Sequence, residues 1–378
     1  MLTALIEAPR PNSVFAKYKS QFILPNILLD IAGCLQGDVK LYNALADRDF
    51  KLPEADRYIV CISECVEKTK EDEHLRKLLS ALEAKVNNLF DCKEVFLVGW
   101  YAWLNRKKLE LRGFTVLSPL TYDTHFSTLV DGIIPTPKWD LIDMNSVPVI
   151  AGKKRATLRT SRGCPRSCEM CPVQLVYTKR MHVFPLDWVI TQIHTLYDMG
   201  FREINFLDDN FLCNSKRSKA LLQYLIDNRK TKLKGMRYMF HEGMEVMQAQ
   251  DEDLVRMLKE AGFHDMKLGV ESLNPKTLEY INKPYTDPAL AIKAIENFNK
   301  YDMKPNLLVI FGLPTDTEAD YQNMIDTFSK MKVKIRAQKL YGYQDKQYTC
   351  PVSKERLSEL MQTLLEATGS ALYREKKA

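Results

Sequence analysis

The stretch that decides the fold of this chain lies between residues 159 and 172. It reads Arg159-Thr160-Ser161-Arg162-Gly163-Cys164-Pro165-Arg166-Ser167-Cys168-Glu169-Met170-Cys171-Pro172. Three and two residues separate its cysteines, so a loop of this length can bring the sulfurs of Cys164, Cys168 and Cys171 to one metal centre. A glycine and two prolines within the stretch favour a loop over a helix.

The number of thiols indicates what kind of centre they hold. Four thiolates normally saturate a cubane iron–sulfur cluster, so three would leave one iron open to another ligand. The spacing alone also allows a structural zinc site that uses a distant Cys or His, or three unrelated cysteines. Zinc sites usually pair two Cys-x2-Cys units, whereas the other close cysteine pair, Cys61 and Cys65, lies in a strand-like context.

Length and composition are those of an ordinary globular protein. The chain has 378 residues, 46% hydrophobic and 27% charged, which allows two domains and excludes long disorder. No apolar run is long enough to span a membrane, and residues 1–9 read as a strand rather than a signal peptide. Because the nine cysteines suggest reduced thiols, we expect a cytoplasmic protein. The net charge of +6 permits an anionic substrate.

The first third of the chain alternates strand and helix patterns. Short aliphatic runs, typical of buried parallel strands, lie at 2–6, 39–42, 58–62, 94–98 and 114–117, and helical periodicity at 26–35 and 71–89. This alternation predicts an α/β fold with a doubly wound, Rossmann-like sheet over residues 1–130. The proline-rich segment 131–150 is predicted to be a linker.

The alternation resumes after the linker and predicts an incomplete barrel. Strand candidates lie at 156–160, 203–207, 236–240, 265–270, 306–311 and 334–340, and helix candidates at 186–199, 215–228, 251–261, 287–301 and 317–331. Six such units predict a partial (β/α)6 barrel over residues 151–343, with its active site at the carboxyl ends of the strands. Residues 344–378 are predicted to form a small helical C-terminal extension.

Polar residues follow several of these strands, as a ligand on the open iron would require. Asp208-Asp209-Asn210 places carboxylates where they could receive an amino group, Glu271-Ser272 could receive ribose hydroxyls, and Gly312 would let a flat ring approach the backbone. Each also has a structural alternative, because such residues cap helices and form turns. Their occurrence at one end of successive strands favours a binding site.

On these residues the chain resembles the radical S-adenosylmethionine (SAM) superfamily. The cysteines match its Cys-x3-Cys-x2-Cys motif, preceded by Thr-Ser-Arg-Gly, and the segments 208–211, 269–272 and 311–314 are similar to its SAM-binding segments. Met170 departs from the aromatic residue usual before the third cysteine, but a methionine can also pack against adenine.

The resemblance implies two cofactors, a [4Fe-4S] cluster and SAM. The cluster would reductively cleave SAM to a 5′-deoxyadenosyl radical that removes hydrogen from an unactivated carbon. Candidates to act on the substrate are His241 after the third strand, Tyr341 after the sixth, and Cys213, which could donate a hydrogen atom but is also an ordinary helix-start residue. Arg162 and Glu242 are further candidates around the site.

The N-terminal region is similar to the cobalamin-binding domain found in one branch of this superfamily. The resemblance lies in segments 5–11, 25–33 and 55–63. Two departures leave cobalamin binding open: there is no Asp-x-His-x-x-Gly, and the Gly-Gly that makes room for the nucleotide tail reads Gly99-Trp100-Tyr101, whose rings would fill that space.

Three functions follow from this reading. The first is a radical SAM enzyme that rearranges or otherwise modifies a small molecule, nucleotide or nucleic-acid base, reduced by a partner such as flavodoxin or ferredoxin and independent of membranes. The second is a cobalamin-dependent radical SAM methyltransferase. The third is a non-enzymatic nucleic-acid or metal-binding protein that uses 153–155 and 216–217 as phosphate contacts.

The cysteine reading predicts a selective loss of the cluster. Anaerobically reconstituted Cys164→Ala, Cys168→Ala and Cys171→Ala should each lose most of the broad absorbance near 400 nm and most of the bound iron, because three thiolates leave no spare ligand. The measurement is iron and sulfide content beside the ultraviolet–visible spectrum. Cys34→Ala, outside the motif, is the control and should retain the wild-type iron content; full iron in all three motif variants would contradict the assignment.

Overall fold

A computed structural model describes residues 1–8, 24–44, 50–62, 73–88, 91, 93–126, 135–240, 242–340 and 348–370. The chain divides into two compact units. Unit 1 comprises residues 1–157 and 175–178, and unit 2 comprises residues 158–174 and 179–378. The predicted boundaries at 130, 150 and 343 remain predictions.

Unit 1 contains the predicted doubly wound sheet. Its described strands are β1 (Leu2–Glu7), β2 (Asp38–Asn43), β3 (Arg57–Cys61), β4 (Glu94–Val98) and β5 (Thr115–Val116). They pair in parallel in the order β2-β1-β3-β4-β5. The described helices are α1 (Asn26–Cys34), α2 (Glu73–Val86), α3 (Trp100–Leu104), α4 (Arg106–Glu110) and α5 (Tyr122–Phe126).

Both faces of this sheet are covered, which explains why its strands read as continuous apolar runs. Along β1, Ala4 and Ile6 pack into the hydrophobic cluster that includes α2, whereas Leu5 between them packs into the cluster that includes α1. Successive side chains of a strand point to opposite faces, so two apolar clusters require an unbroken apolar strand.

The segment predicted to be a linker is partly structured where it is described. A 3₁₀ turn spans Trp139–Leu141, with Trp139 buried, and a short strand β6 (Val149–Ile150) pairs antiparallel with β7 (Lys153–Leu158). Prolines also occur in ordered turns, and the assignment of 131–150 as a linker stays a prediction.

The predicted partial barrel is confirmed. After β7 come the hairpin strands β8 (Ser161–Gly163) and β9 (Met181–Val183), then β10 (Glu203–Phe206), β11 (Arg237–Phe240), β12 (Met244–Glu245), β13 (Lys267–Glu271), β14 (Asn306–Phe311) and β15 (Lys334–Lys339). Within the described part of unit 2, β10 pairs in parallel with β11, and β12-β13-β14-β15 form a four-stranded parallel sheet.

Helices alternate with the long strands, as the periodicity predicted. They are α6 (Val173–Tyr177), α7 (Leu186–Asp198), α8 (Ser215–Asn228), α9 (Glu252–Ala261), α10 (Pro275–Tyr280), α11 (Pro288–Lys300), α12 (Glu318–Phe328) and α13 (Lys354–Ala367), with a further 3₁₀ turn at Gln248–Gln250.

Side-chain caps fix where several of these helices begin. Asp251 accepts a hydrogen bond from the Leu254 amide at the start of α9, and Thr317 forms a reciprocal capping box with Asp320 at the start of α12. Such caps satisfy amides that the first helical turn leaves without a partner. The helix after β14 therefore begins a fixed distance from Gly312.

The cysteine stretch is the loop of a β-hairpin. Ser161↔Val183, Arg162↔His182 and Gly163↔Met181 are the antiparallel pairs of β8 and β9, and the three cysteines follow β8 directly. The sequence did not predict this hairpin, because strands of three residues carry too little periodicity.

The packing of α8 gives a stability prediction. Leu225 on this helix has no exposed surface, so Leu225→Ala should lower the free energy of unfolding of unit 2 by about 2–5 kcal/mol. Urea unfolding followed by circular dichroism measures this loss. Gln223→Ala on the exposed face of α8 is the matched control and should stay within about 0.5 kcal/mol of wild type; equal losses in the two variants would contradict the burial.

Candidate active site

The three cysteines of the motif are half-buried and form no disulfide. Burial raises the pKa of the Cys171 thiol to about 12 and also raises that of Cys164. Without a metal centre the thiols of Cys164 and Cys171 are therefore protonated, and binding of such a centre would displace their protons. Three thiols on one loop are a donor set that fits an iron–sulfur cluster.

The spacing of the donors differs from that of a single-ion site. In the described part of the chain, no three His, Cys, Asp or Glu side chains are close enough to bind one metal ion. A cluster places a different requirement on its ligands, since each thiolate binds its own iron.

Asp208 holds the start of the cysteine loop. Its carboxylate accepts hydrogen bonds from the amide of Thr160 (3.0 and 3.2 Å), the hydroxyl of Thr160 (2.7 Å) and the hydroxyl of Ser161 (2.5 Å). Burial raises the pKa of Asp208, and these donors oppose that shift. The carboxylate predicted to meet an amino group is thus committed to the loop, and its contact with SAM remains a prediction.

The next two residues after β10, Asp209 and Asn210, contact the cysteine loop. Asp209 accepts a hydrogen bond from the Gly163 amide at 2.7 Å, and burial raises its pKa to about 7. The Asn210 amide donates to the Cys164 sulfur at 3.5 Å. Sequence reasoning placed both residues at the site, and the structure brings both to the cysteine loop.

A buried carboxylate that the sequence did not reveal lies beside them. Glu245, on β12, accepts hydrogen bonds from Asn210 at 2.5 Å and, with both oxygens, from Arg166 within the cysteine loop at 2.8 and 2.9 Å. Gln248 donates to the Asn210 oxygen at 2.8 Å. No local pattern marks Glu245, because its partners lie 35 and 79 residues away in the chain.

The segment 281–285 contacts the cysteine loop at residues 167–169. The Ile281 carbonyl accepts from the Glu169 amide at 2.9 Å, and the Asn282 amide donates to the Ser167 carbonyl at 2.9 Å. The Tyr285 hydroxyl lies 3.5 Å from the Cys168 sulfur. The sequence analysis missed this segment as well, since only its run Ile281-Asn282-Lys283-Pro284-Tyr285 could have drawn attention to it.

Glu271 is part of a buried ion pair. Its carboxylate lies 3.0 Å from the Lys283 ammonium, which also donates to the Gly269 carbonyl at 3.2 Å. Burial is the largest single influence and opposes the charge on Lys283, but attraction to Glu271, Cys168 and Glu245 together with the hydrogen bond to Glu271 outweighs it and raises the pKa of the lysine. A Cβ at Gly269 would lie 3.0 Å from Glu271 and 3.3 Å from Lys283, so the glycine makes room for the pair.

Ser272 and Gly312 lie at the ends of neighbouring strands. The Ser272 hydroxyl donates to Asp316 at 3.0 Å and accepts from the Asn274 amide at 3.0 Å, which is the turn that the structural alternative predicted. Gly312 has φ +95°, and its amide donates to the Tyr321 hydroxyl at 2.8 Å. Their contacts with SAM remain predictions.

Met170 lies on an apolar cluster beside Gly312. It packs against Leu278, Ile281 and Leu313, together with partly buried residues from the ends of β14 and β15. The adenine-side position predicted for Met170 is compatible with this neighbourhood.

Of the three candidates to act on the substrate, the structure describes Cys213. Cys213 is half-buried in the turn before α8, where its amide donates to the Asn210 carbonyl at 3.2 Å. His241 and Tyr341 lie outside the described residues. Arg217, expected by the nucleic-acid hypothesis to contact phosphate, instead donates to the carbonyls of Thr160 and Phe184 at 3.1 and 2.9 Å.

The proposed obstacle to cobalamin in unit 1 is smaller than the sequence suggests. After Gly99, with φ +100°, the Tyr101 side chain is buried in the hydrophobic cluster of the α2 face. Trp100 is half-buried and meets Tyr177 of the same unit edge-on at 6.1 Å. The ring of Tyr101 thus belongs to the hydrophobic core. Of the two rings expected to fill the space for the cobalamin tail, only that of Trp100 is left as a candidate.

Residues 158–328 match the family model of the radical SAM superfamily. An uncharacterized methyltransferase of Pyrococcus horikoshii is 30% identical over 201 residues, which are 53% of this chain and 42% of that protein. The hopanoid C-2 methylase of Rhodopseudomonas palustris is 23% identical over 49% of this chain and 34% of its own length. The chain thus spans less than half the length of these relatives.

Solved structures show the same fold over most of the chain. The radical SAM methyltransferase TsrM of Kitasatospora setae, with cobalamin and a [4Fe-4S] cluster bound, aligns with a TM-score of 0.68 at 15% identity, covering 89% of this chain and 74% of TsrM. The cobalamin-dependent radical enzyme OxsB, with aqua-cobalamin and SAM bound, aligns with a TM-score of 0.66 at 12% identity, covering 97% and 56%.

The match identifies residues 158–328 as a radical SAM domain, and the fold of the chain is that of solved radical SAM proteins with bound cobalamin. The family match and the relatives indicate an enzyme, and the family implies a [4Fe-4S] cluster and SAM as cofactors. They favour the two enzyme hypotheses over a non-enzymatic binding protein.

The buried Asp316 predicts how stability depends on pH. Burial raises its pKa to about 6, above the ordinary value near 4, so the folded protein keeps a proton that the unfolded chain has already lost. Stability contributed by this group is therefore greatest below about pH 4 and falls as the pH rises to about 6, by on the order of 2 kcal/mol.

Asp316→Asn should remove this part of the pH dependence while it keeps an acceptor for Ser272. Urea unfolding of the cluster-free protein between pH 4 and pH 7 measures it. Asp326→Asn, at an exposed carboxylate of α12, controls for loss of one charge and should leave the profile close to wild type. A profile that Asp316→Asn leaves unchanged would contradict the shifted pKa.

Proposed function

We propose that this chain is a cobalamin-dependent radical SAM methyltransferase that modifies a carbon atom of a small organic molecule. The observation that carries the proposal is the order of its two units: a parallel doubly wound sheet precedes a barrel with three thiols on its first hairpin. The same fold, with cobalamin and cluster bound, occurs in TsrM. Both curated relatives described above carry methylating names, which favours methyl transfer over rearrangement.

The cluster site follows from the residues described. Cys164, Cys168 and Cys171 would hold the cluster, which with SAM supplies a 5′-deoxyadenosyl radical. Asn210 and Tyr285 direct polar hydrogens at two of these sulfurs. The side chains of the protein would then orient SAM and keep water away from the reacting carbon.

Contacts with SAM are assigned on the same basis. Asp209 lies against the loop at Gly163 and is the better candidate for the amino group, because the oxygens of Asp208 already accept hydrogen bonds from Thr160 and Ser161. Glu271 and Ser272 are proposed to meet the ribose, and Gly312 the adenine. Cys213 remains a candidate hydrogen donor, and His241 and Tyr341 remain candidates from sequence alone.

The small-molecule class of substrate is supported by what related proteins act on. TsrM has been solved with tryptophan as substrate, and a bacteriochlorophyllide methyltransferase of Chlorobaculum tepidum is 25% identical over 46% of this chain. A nucleic-acid base as substrate stays a prediction from the sequence, where the net charge of +6 permits it.

A second candidate keeps the radical chemistry without cobalamin. It is favoured by one observation, the half-buried Trp100 directly after Gly99 at the carboxyl end of β4. Ligands of doubly wound sheets bind at that edge, so a large ring there could occupy part of the space.

The remaining expectations concern the setting of the enzyme. None of the helices that the structure describes has the length and apolar character needed to cross a membrane. A cytoplasmic location and a flavodoxin or ferredoxin as electron donor stay predictions from the sequence.

Reconstitution separates the two candidates. Protein with its cluster, incubated with hydroxocobalamin and passed through gel filtration, should retain roughly one cobalamin per chain, seen in its absorption spectrum. Reduction with SAM should then give 5′-deoxyadenosine. Trp100→Gly should retain cobalamin as well as wild type does, because the proposal gives that ring no part in binding.

The outcomes of this experiment are distinct. If cobalamin elutes separately while the protein still forms 5′-deoxyadenosine, the second candidate replaces the first. If Trp100→Gly retains cobalamin and the wild type does not, the Trp100 ring is what prevents binding. Cys171→Ala, which lacks the cluster, is the control: it should retain cobalamin and form no 5′-deoxyadenosine.

A further inference from the structure

Two of the three motif sulfurs have a side-chain donor within reach. The Tyr285 hydroxyl lies 3.5 Å from Cys168, and the Asn210 amide nitrogen lies 3.5 Å from Cys164. A cysteine bound to iron carries no proton, so in the loaded protein the Tyr285 hydroxyl can only donate to Cys168.

The ring of Tyr285 is held in place by the cysteine loop itself. The Arg166 guanidinium carbon lies 4.5 Å from the centre of the Tyr285 ring, a cation–π contact. Arg166 is in turn fixed by two hydrogen bonds from its fork to Glu245, a planar pairing with little freedom.

Glu245 connects the two donors. Its side chain is only 10% exposed, and besides Arg166 it accepts a hydrogen bond from Asn210 at 2.5 Å. One carboxylate thus orients Asn210 directly and Tyr285 through Arg166. A buried carboxylate with several donors is a rigid anchor, because breaking any one contact would leave charge without a partner.

We propose that Tyr285 sets the reduction potential of the cluster through its hydrogen bond to the Cys168 sulfur, and that Arg166 and Glu245 are positioning residues for it. Reduction adds negative charge to the cluster, so a donor to sulfur stabilises the reduced form and raises the potential. The proposal rests on the cluster that the family implies and is independent of methyl transfer and of cobalamin.

The test is an EPR-monitored redox titration of the reconstituted protein. Tyr285→Phe removes the hydroxyl and keeps the ring under Arg166, so the ratio of reduced to oxidised cluster at a fixed solution potential should fall about tenfold, which is about 59 mV for one electron. Tyr197→Phe, whose exposed hydroxyl bonds the Lys234 carbonyl, is the matched control and should titrate as wild type. Iron content and circular dichroism confirm that the variants are loaded and folded.

A second substitution should shift the reduction potential in the opposite direction, and it leaves the shape of the side chain nearly unchanged. Site-specific 3-fluorotyrosine at position 285 is a stronger donor of nearly the same shape, so it should raise the reduced fraction at the same solution potential. A tyrosine with only a structural role would produce no such increase. If Tyr285→Phe and the fluorinated protein both titrate as wild type, the proposal is overturned; if Tyr285→Phe fails to load, the fluorinated protein alone decides.

A double-mutant cycle tests the positioning role of Glu245. Glu245→Gln changes the potential through loss of its charge, and this effect should be the same with Tyr or Phe at position 285. Any effect of Glu245→Gln through Asn210 is likewise common to both backgrounds, whereas a loss of Tyr285 orientation affects the potential only when Tyr285 is present. A difference between the two shifts therefore supports positioning of Tyr285, and identical shifts would show that Glu245 does not act through Tyr285.

Discussion

The hydrogen bonds between Asp208 and the residues Thr160 and Ser161 determine where the cysteine loop leaves the barrel. An ionised carboxylate buried without donors would be strongly unfavourable, so Asp208 and the two loop residues stabilise one another. Thr160 is also fixed by Arg217, which donates to its carbonyl. Because Asp209 and Asn210 follow Asp208 without a break, the same contact brings them against Gly163 and Cys164.

Much of this arrangement could be predicted from the sequence, for a physical reason. Strands such as β14, with its apolar run, and helices such as α12, with its capping box, carry their own local signals. The residues Asp208-Asp209-Asn210 stand directly after a strand, so their position at the site follows from the barrel topology. Their connection to the loop is equally direct, since the Leu207 amide donates to the Leu158 carbonyl at 2.9 Å, just before the loop begins.

The contacts that complete the site carry no such signal. Glu245 lies on the two-residue strand β12, and Lys283 and Tyr285 lie outside regular secondary structure. Each meets its partner through tertiary packing: Tyr285 reaches a sulfur 117 residues before it in the chain. The hairpin β8–β9 was missed for a related reason, because three-residue strands are defined by pairing rather than by pattern. Trp100 and Tyr101 show the same limit, since two bulky residues in a sequence do not reveal the direction of either side chain.

The charged side chains around the thiols occur as ion pairs, which limits how far they can shift the reduction potential of the cluster. Arg166 is paired with Glu245, and Lys283 with Glu271, so each of these two cations close to the loop has a carboxylate beside it. Two opposite charges a few ångströms apart largely cancel at a distance, and their combined effect on a nearby cluster is small compared with that of a single ion. Hydrogen bonds to sulfur act at contact distance and are not cancelled in this way. The Arg166–Glu245 pair therefore serves mainly to hold the donors Asn210 and Tyr285 in place, and the cluster would respond most strongly to these donors.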